Sequence, residues 1–166
     1  MILKRFDDTE YPKSLITHIR HTVRVFLKTE RNTYIFIKIK GSDDFGGRNH
    51  IESIGGGMEG FESFDEALRR EVLEETGYEL LDYSYIGTII DRYYVISRET
   101  HSHFFIGNID TSIKHEQMLT SLEELLFDKM VELSEEEVIE ELNNPKTKIA
   151  KLIYQRDLLA FTSKYL

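Results

Sequence analysis

The sequence predicts an α/β fold in which a mixed β-sheet is sandwiched between helices. A chain of 166 residues with 40% apolar residues suits one compact domain. Segments rich in β-branched and aromatic residues lie before and after a helical segment that carries a capping pattern, and an amphipathic segment ends the chain. No internal repeat or change in composition marks a second domain, so we predict a single domain over residues 1–166, with its core at about 17–142.

The first predicted elements are two strands joined by a short turn. Residues 16–27 and 33–40 are β-rich, and residues 28–32 form a plausible hairpin turn between them. Residues 41–49 are polar and contain glycines, which favours a loop that leads to a short strand at residues 50–53.

A helix is predicted next, beginning near Phe64 and ending near Thr76. Ser63 and Glu66 have the spacing of a capping box, in which each side chain accepts a hydrogen bond from the other residue's backbone. Gly77 is a natural stop, because glycine readily adopts the left-handed conformation that ends many helices.

The remaining segments repeat these patterns. In chain order, we predict strands at residues 83–94 and 103–109, a polar loop at 110–123, a strand at 126–133, and helices at 134–142 and about 147–165. Pro145 separates the last two helices. The last helix is amphipathic, so it could pack on the core or against a second copy of the chain, and a homodimer stays open.

Composition and charge exclude several classes of function. The formal net charge of −9 argues against sequence-independent binding to duplex nucleic acid, which depends on basic side chains. No apolar run approaches the roughly 20 residues that cross a membrane, and the start of the chain does not resemble a signal peptide. There are no cysteines, hence no disulfides and no thiolate zinc site. We therefore expect a cytoplasmic protein without membrane partners.

Three glutamates of the predicted helix point to a metal site. At about 100° per residue, Glu71, Glu74 and Glu75 lie on one face, at the edge of the apolar stripe that contains Ala67 and Leu68. Carboxylates so close together repel one another unless a positive charge lies between them, and Mg²⁺ or Mn²⁺ prefers such oxygens. The alternative is an ordinary acidic patch on an exposed helix.

The spacing around these glutamates resembles a family motif. Gly56 is followed after five residues by Glu62, and after seven more by the run Arg70-Glu71-Val72-Leu73-Glu74-Glu75-Thr76-Gly77-Tyr78. This order is similar to the Nudix hydrolase box, G-x5-E-x7-R-E-U-x-E-E-x-G-U with U apolar, at every specified position. The resemblance implies a Nudix-type α/β/α sandwich.

The resemblance also implies an activity and a set of site residues. Nudix enzymes hydrolyse the pyrophosphate of nucleoside diphosphates linked to another group, X, with Mg²⁺ or Mn²⁺. By position, the implied metal ligands are the Gly56 carbonyl, Glu71, Glu74 and Glu75. Glu74 and Glu75 are also candidate catalytic residues, together with a glutamate near the last strand, for which Glu124 is the first choice and Glu116 the reserve. The structural positions of the motif are Glu62 and Arg70, expected to form an ion pair, and Gly77.

Substrate-binding candidates are fewer and less specific. Lys38 and Lys40 alternate with apolar residues on a predicted strand, so both could face the phosphates, and Arg24 is comparable. Tyr94 lies about sixteen residues past the box, where some diadenosine polyphosphate hydrolases of the family carry a tyrosine that stacks on a base. The alternative for each is an ordinary exposed side chain.

The leading hypothesis is a metal-dependent pyrophosphohydrolase acting on a small nucleotide derivative. One alternative is a non-catalytic nucleotide sensor, although such domains usually lose box glutamates. Another is removal of pyrophosphate from the 5′ end of RNA, which would favour a basic groove. The sequence does not identify X, which we expect the segments 41–49 and 110–123 to contact.

Overall fold

The computed structural model describes residues 1–166 and contains an eight-stranded mixed sheet and four α-helices. In chain order the elements are β1 (Ile2–Phe6), β2 (His18–Lys28), β3 (Tyr34–Asp43), β4 (Gly46–Glu52), β5 (Ile54–Gly57), α1 (Phe64–Thr76), β6 (Leu80–Tyr93), β7 (Arg98–Ile109), α2 (Ser121–Leu126), β8 (Phe127–Leu133), α3 (Glu135–Leu142) and α4 (Lys148–Ser163). None of the helices combines the length and apolar character needed to cross a membrane.

The sheet opens between β2 and β3. The strand order is β1-β6-β7-β2-β3-β4, with β5 beside β2 and β8 beside β3. Strands β2 and β7 run parallel along their full length, from His18 opposite Arg98 to Lys28 opposite Asn108. In contrast, β2 pairs with β3 only at Leu27 and Lys28. Over residues 22–25, β2 pairs instead with the short glycine strand β5, which leaves a cleft where β2 and β3 diverge.

Apolar side chains cover both faces of the sheet, which confirms the predicted α/β/α sandwich. Because successive strand residues point to opposite faces, Val23 and Val25 pack on the side of α1, whereas Phe26 packs on the side of α4. The α1 side includes Ile54, Ala67, Leu68, Val72 and Phe105. The α4 side includes Phe36, Phe104, Val138, Leu152 and Phe161.

The predicted helix α1 is confirmed at both ends. The Ser63 hydroxyl accepts a hydrogen bond from the Glu66 backbone N–H at 3.1 Å, and the Glu66 carboxylate accepts one from the Ser63 N–H at 2.8 Å. Gly77 adopts φ 76° and donates its N–H to the Leu73 carbonyl, which ends the helix. The capping chemistry therefore determines where the glutamate face begins and ends.

Several segments differ from the prediction: strands β1 and β5 were not predicted, β7 begins five residues earlier than predicted, and the two predicted loops contain regular structure. Residues 41–49 are not a loop: they form a hairpin in which β3 and β4 pair as far as Asp43 opposite Gly46. The turn is stabilised because the Asp43 carboxylate accepts a hydrogen bond from the Phe45 N–H and pairs with Arg48. Part of the predicted 110–123 loop is helical, since Thr120 and Glu123 form a capping box that starts α2.

Candidate active site

The glycine strand β5 separates two charged side chains that approach its backbone closely. Gly56 lies opposite Val23, on the α1 side, and a Cβ there would lie 2.6 Å from a carboxylate oxygen of Glu71. A Cβ at Gly57, which faces the other way, would collide with the guanidinium of Arg20. Each glycine leaves room for the charged end of a neighbouring side chain, which would have to shift to accommodate a Cβ.

The three box glutamates differ in their exposure. Glu71 and Glu75 are 7% and 8% exposed, whereas the Glu74 side chain is 35% exposed. One carboxylate oxygen of Glu75 accepts a hydrogen bond from the Gly55 N–H at 3.1 Å, which ties α1 to the glycine strand. Burial raises the pKa of both Glu71 and Glu75, against the opposing charges of Arg70 and Arg24 respectively.

Arg70 neutralises the exposed side of this group. Its guanidinium forms the expected ion pair with Glu62, with Nε 2.5 Å from Oε1. It also lies 2.9 Å from Glu71 and 3.3 Å from Glu74, and it donates a hydrogen bond to the Gly57 carbonyl at 3.1 Å. Arg70 therefore holds the glycine strand, the following loop and two of the glutamates together.

The donor chemistry of this group fits a hard divalent cation. Burial raises the pKa of two of the carboxyl groups despite the arginines nearby, and carboxylate oxygens are the ligands that Mg²⁺ and Mn²⁺ prefer. As the side chains lie, no three acidic or histidine residues converge on one point. Glu71 and Glu74 are turned toward Arg70, so the carboxylates are grouped but are held by an arginine.

A cavity of about 160 Å³ lies on the other side of the glycine strand and is lined by five arginines. We call it the arginine recess; its arginines are Arg20, Arg24, Arg48, Arg98 and Arg156. Arg20 and Arg24 lie on the same face of β2, and Arg98 lies on that face of the adjacent strand β7. Further along β2 and β7, the same face of the sheet carries the core residues Phe26 and Phe104. The arginines therefore lie on this face at the end of the strands where the sheet opens.

A second cavity of about 560 Å³ adjoins the recess and shares Arg20, Arg48 and Arg98 with it. Glu75 and Gly55 also line this larger cavity. Its apolar wall consists of Ile37, Ile39, Phe45, Ile96, Leu119, Leu122, Leu126 and Phe127. Together the two cavities form one cleft that has a buried glutamate, a set of arginines and an apolar wall.

Glu52 organises two of the arginines. It lines both cavities, 3.8 Å from Arg24 and 3.7 Å from Arg48, and the ring of His50 lies 3.0 Å away. Burial alone would raise its pKa, but the hydrogen bond to His50 and the charges of His50, Arg24 and Arg48 hold the pKa of Glu52 far below its usual value. An ionised Glu52 therefore orients guanidinium groups in the cleft.

Of the predicted substrate-binding residues, the structure brings only Arg24 to the cleft. Lys38 lines a separate groove beside Glu137, Glu140 and Glu141 of the α3 region. Lys40 is exposed on β3. Tyr94 follows the end of β6, and its hydroxyl donates a hydrogen bond to Asp7 at 2.6 Å, away from the cleft.

Neither glutamate predicted outside the box lines the cleft. Glu124 is exposed on α2 and lines neither cavity, and Glu116 is exposed in the preceding segment. Glu123 does line the larger cavity, but its carboxylate accepts a hydrogen bond from the Thr120 N–H as part of the helix cap.

Four arginines of the recess and Glu52 were missed by the sequence reasoning. The alternation of Arg20 with Arg24 on a predicted strand was an available indication. Arg98 lay outside the predicted strands, and Arg156 belongs to a helix whose packing direction only the tertiary structure shows.

The sequence model of the NUDIX domain family matches residues 18–152 of this chain. No curated protein matches the chain in sequence.

Three solved structures share the fold. A NUDIX hydrolase from Nitrosomonas europaea is 19% identical with a TM-score of 0.60, covering 83% of this chain and 89% of that one. A MutT NUDIX hydrolase from Burkholderia pseudomallei is 13% identical with a TM-score of 0.60, covering 82% and 96%. An ADP compounds hydrolase is 16% identical with a TM-score of 0.62, covering 89% and 72%. At these identities the likeness concerns the fold alone.

Proposed function

The chain belongs to the Nudix family, and on that premise we propose that it is a divalent-metal-dependent enzyme that hydrolyses the pyrophosphate bond of a small nucleotide derivative. The observation that carries the proposal is the buried pair Glu71 and Glu75 beside a cleft that contains five arginines. Anionic side chains that hold cations and basic side chains that bind phosphate oxygens are the two requirements of phosphate chemistry.

The buried glutamates would hold the metal. Glu71 and Glu75 are the first candidates, with the more exposed Glu74 and the Gly56 carbonyl beside them. A bound Mg²⁺ or Mn²⁺ would neutralise phosphate charge and lower the pKa of an attacking water molecule. Because Glu75 also accepts the Gly55 N–H, its carboxylate is fixed relative to the strand that borders the cleft.

The remaining groups of the cleft would position the substrate. Guanidinium groups bind phosphate oxygens through paired N–H donors, so the arginine recess would bind phosphoryl groups. The apolar wall would contact the uncharged part of the substrate and exclude water from it. Arg70 would keep the glycine strand and α1 in register through its contacts with Glu62 and the Gly57 carbonyl.

A panel of nucleotides tests the proposal. Phosphate or pyrophosphate release would be measured for nucleoside triphosphates, nucleotide sugars and dinucleoside polyphosphates with Mg²⁺, with Mn²⁺ and with a chelator. We expect turnover that depends on the metal. Nucleotide binding without turnover would favour a sensor domain instead, and turnover confined to RNA 5′ ends would favour the RNA pyrophosphohydrolase.

The identity of the general base is a separate proposal. Glu124 is exposed on α2, near the apolar wall formed in part by Leu122 and Leu126 of the same helix. Glu124→Gln would cut turnover strongly if this carboxylate accepts the proton. Turnover within twofold of the parent would exclude that role and leave the box glutamates as the candidates.

A further inference from the structure

We propose that the arginine recess binds a phosphoryl group in addition to the two of the scissile pyrophosphate, so that the preferred substrate carries a linear chain of at least three phosphoryl groups. The inference rests on the proposed function and specifies its substrate class. It is carried by the placement and the pairing of the five recess arginines.

The concentration of arginine in this cavity is the first observation. The chain contains ten arginines, and five of them line the recess, although the formal net charge of the protein is −9. No lysine lines either the recess or the adjoining larger cavity. Arginine rather than lysine is the residue that binds phosphate through two parallel N–H donors.

Three of the five arginines have structural partners. Arg48 lies 2.7 Å from Asp43, Arg156 lies 2.7 Å from Asp157, and Arg24 lies 3.8 Å from Glu52. These pairs account for part of the positive charge without any ligand. They also hold the walls of the recess in place.

Arg20 and Arg98 have no such partner. Neither forms an ion pair with a carboxylate, and the only side-chain hydrogen bond of Arg98 is donated to the Thr100 hydroxyl at 3.0 Å. Burial, together with the neighbouring charges of Arg20 and Arg24, lowers the pKa of Arg98. In addition, the buried Nε of Arg24 has no hydrogen-bond partner. Unpaired donors and neighbouring like charges in one cavity indicate a place for an anion.

The position of these donors argues for a chain of phosphoryl groups rather than a remote phosphate on X. The guanidinium of Arg20 lies against Gly57, and the carboxylate of Glu71 lies against the adjacent residue Gly56. Glu75 also lines the same larger cavity as Arg20 and Arg98. The recess therefore adjoins the glutamates that would hold the metal. The next phosphoryl group of a linear chain would enter the recess directly.

Titration calorimetry with inorganic tripolyphosphate, pyrophosphate and orthophosphate tests the inference, with a chelator present so that no metal contributes. We expect the parent protein to bind tripolyphosphate at least about tenfold more tightly than pyrophosphate, because charge-assisted hydrogen bonds are strong. Arg20→Gln and Arg98→Gln, singly and together, should remove that preference. The matched control is Arg92→Gln, which alters an exposed arginine of β6 that pairs with Glu99 outside the cleft.

Equal affinity of the parent for tripolyphosphate and pyrophosphate would overturn the inference, and so would a preference that survives in the double variant. Because Arg20 is exposed and makes no ion pair, Arg20→Gln should fold normally even if the double variant does not. Glu75→Gln separates the two proposals: it should lose turnover but keep the preference for tripolyphosphate. If the parent prefers tripolyphosphate but turns over no nucleotide, the proposed function is refuted and the inferred anion site still stands.

Discussion

Glu62 and Arg70 form a two-point ion pair that joins the loop after β5 to helix α1. Arg70 Nε lies 2.5 Å from Glu62 Oε1, and Arg70 Nη2 lies 3.0 Å from Oε2. The same Nη2 donates a hydrogen bond to the Gly57 carbonyl, and Glu62 accepts one from the Glu59 N–H. The pair therefore determines how the glycine strand meets the helix that carries the glutamates.

Glu62→Gln should lower both stability and turnover. The substitution removes one charge of a pair that is 21% and 17% exposed, and it frees Arg70 to draw Glu71 and Glu74 further away from a metal. We expect a loss of about 1–2 kcal/mol in the free energy of unfolding, measured with urea, together with an increase in the Mg²⁺ concentration needed for half-maximal activity. Glu59→Gln is the control, because Glu59 is 72% exposed and 3.8 Å from Arg70. An equal effect of both substitutions would argue against a special role for the pair.

Glu75→Gln should abolish most activity and leave the fold intact. The amide oxygen of glutamine can still accept the Gly55 N–H, whereas the charge that would hold a cation is lost. We expect turnover to fall on the order of 10²–10³-fold, the range found when one electrostatic group of an active site is removed. The melting temperature should not fall, since the carboxyl group is buried and burial raises its pKa. Glu79→Gln, at an exposed position just past the helix, is the matched control.

The local parts of this structure were predictable from the sequence, and the parts that depend on strand pairing were not. Helix α1 is predicted to begin near Phe64 and end near Thr76, as the structure has it, because Ser63, Glu66 and Gly77 act on the few residues next to them. The sequence predicts a loop at residues 41–49 because glycines and aspartates have low β-propensity, and the pairing of β3 with β4 that overrides this preference is tertiary.

The same distinction applies to the site. The box glutamates are predicted as metal ligands from their spacing on one helix, and the structure buries two of them, Glu71 and Glu75. The arginine recess draws on β2, β4, β7 and α4, four elements that are distant in sequence. Whether Arg20 and Arg98 share a face depends on the parallel register of β2 and β7, which no local pattern indicates. Lys38 alternates with apolar residues on its strand as predicted, but its side chain lines a separate groove and not the cleft.

Gly55→Ala should destabilise the protein more than any other substitution in the glycine strand. Gly55 has φ +148°, which side chains rarely adopt, and a Cβ there would collide with the backbone carbonyl of Val23, which cannot move without breaking the pairing of β2 and β5. We expect a loss of about 2–4 kcal/mol in the free energy of unfolding. Gly47→Ala is the control, since no atom lies within 4 Å of its added Cβ. At Gly57, only a flexible arginine must move to accommodate a Cβ. A smaller loss of unfolding free energy for Gly55→Ala than for Gly57→Ala would therefore contradict this prediction.

His103 should make the stability of the protein depend on pH in the mildly acidic range. Its ring lies 2.7 Å from the Thr88 hydroxyl and 3.1 Å from His21, and burial, followed by the charges of His21, His101 and the amino terminus, lowers the pKa of His103 to about 4. An unfolded histidine titrates near 6.5, so between pH 4 and 6.5 the unfolded chain binds more protons than the folded one at this position.

The contribution of neutral His103 to the free energy of unfolding is therefore fully present above pH 6.5 and is lost as the pH falls toward 4. His103→Asn cannot titrate, so the difference in the free energy of unfolding between parent and variant should shrink as urea unfolding is repeated at pH 7.0, 5.5 and 4.5. A parent–variant difference at His103 that is the same at all three pH values would show that its burial does not resist protonation.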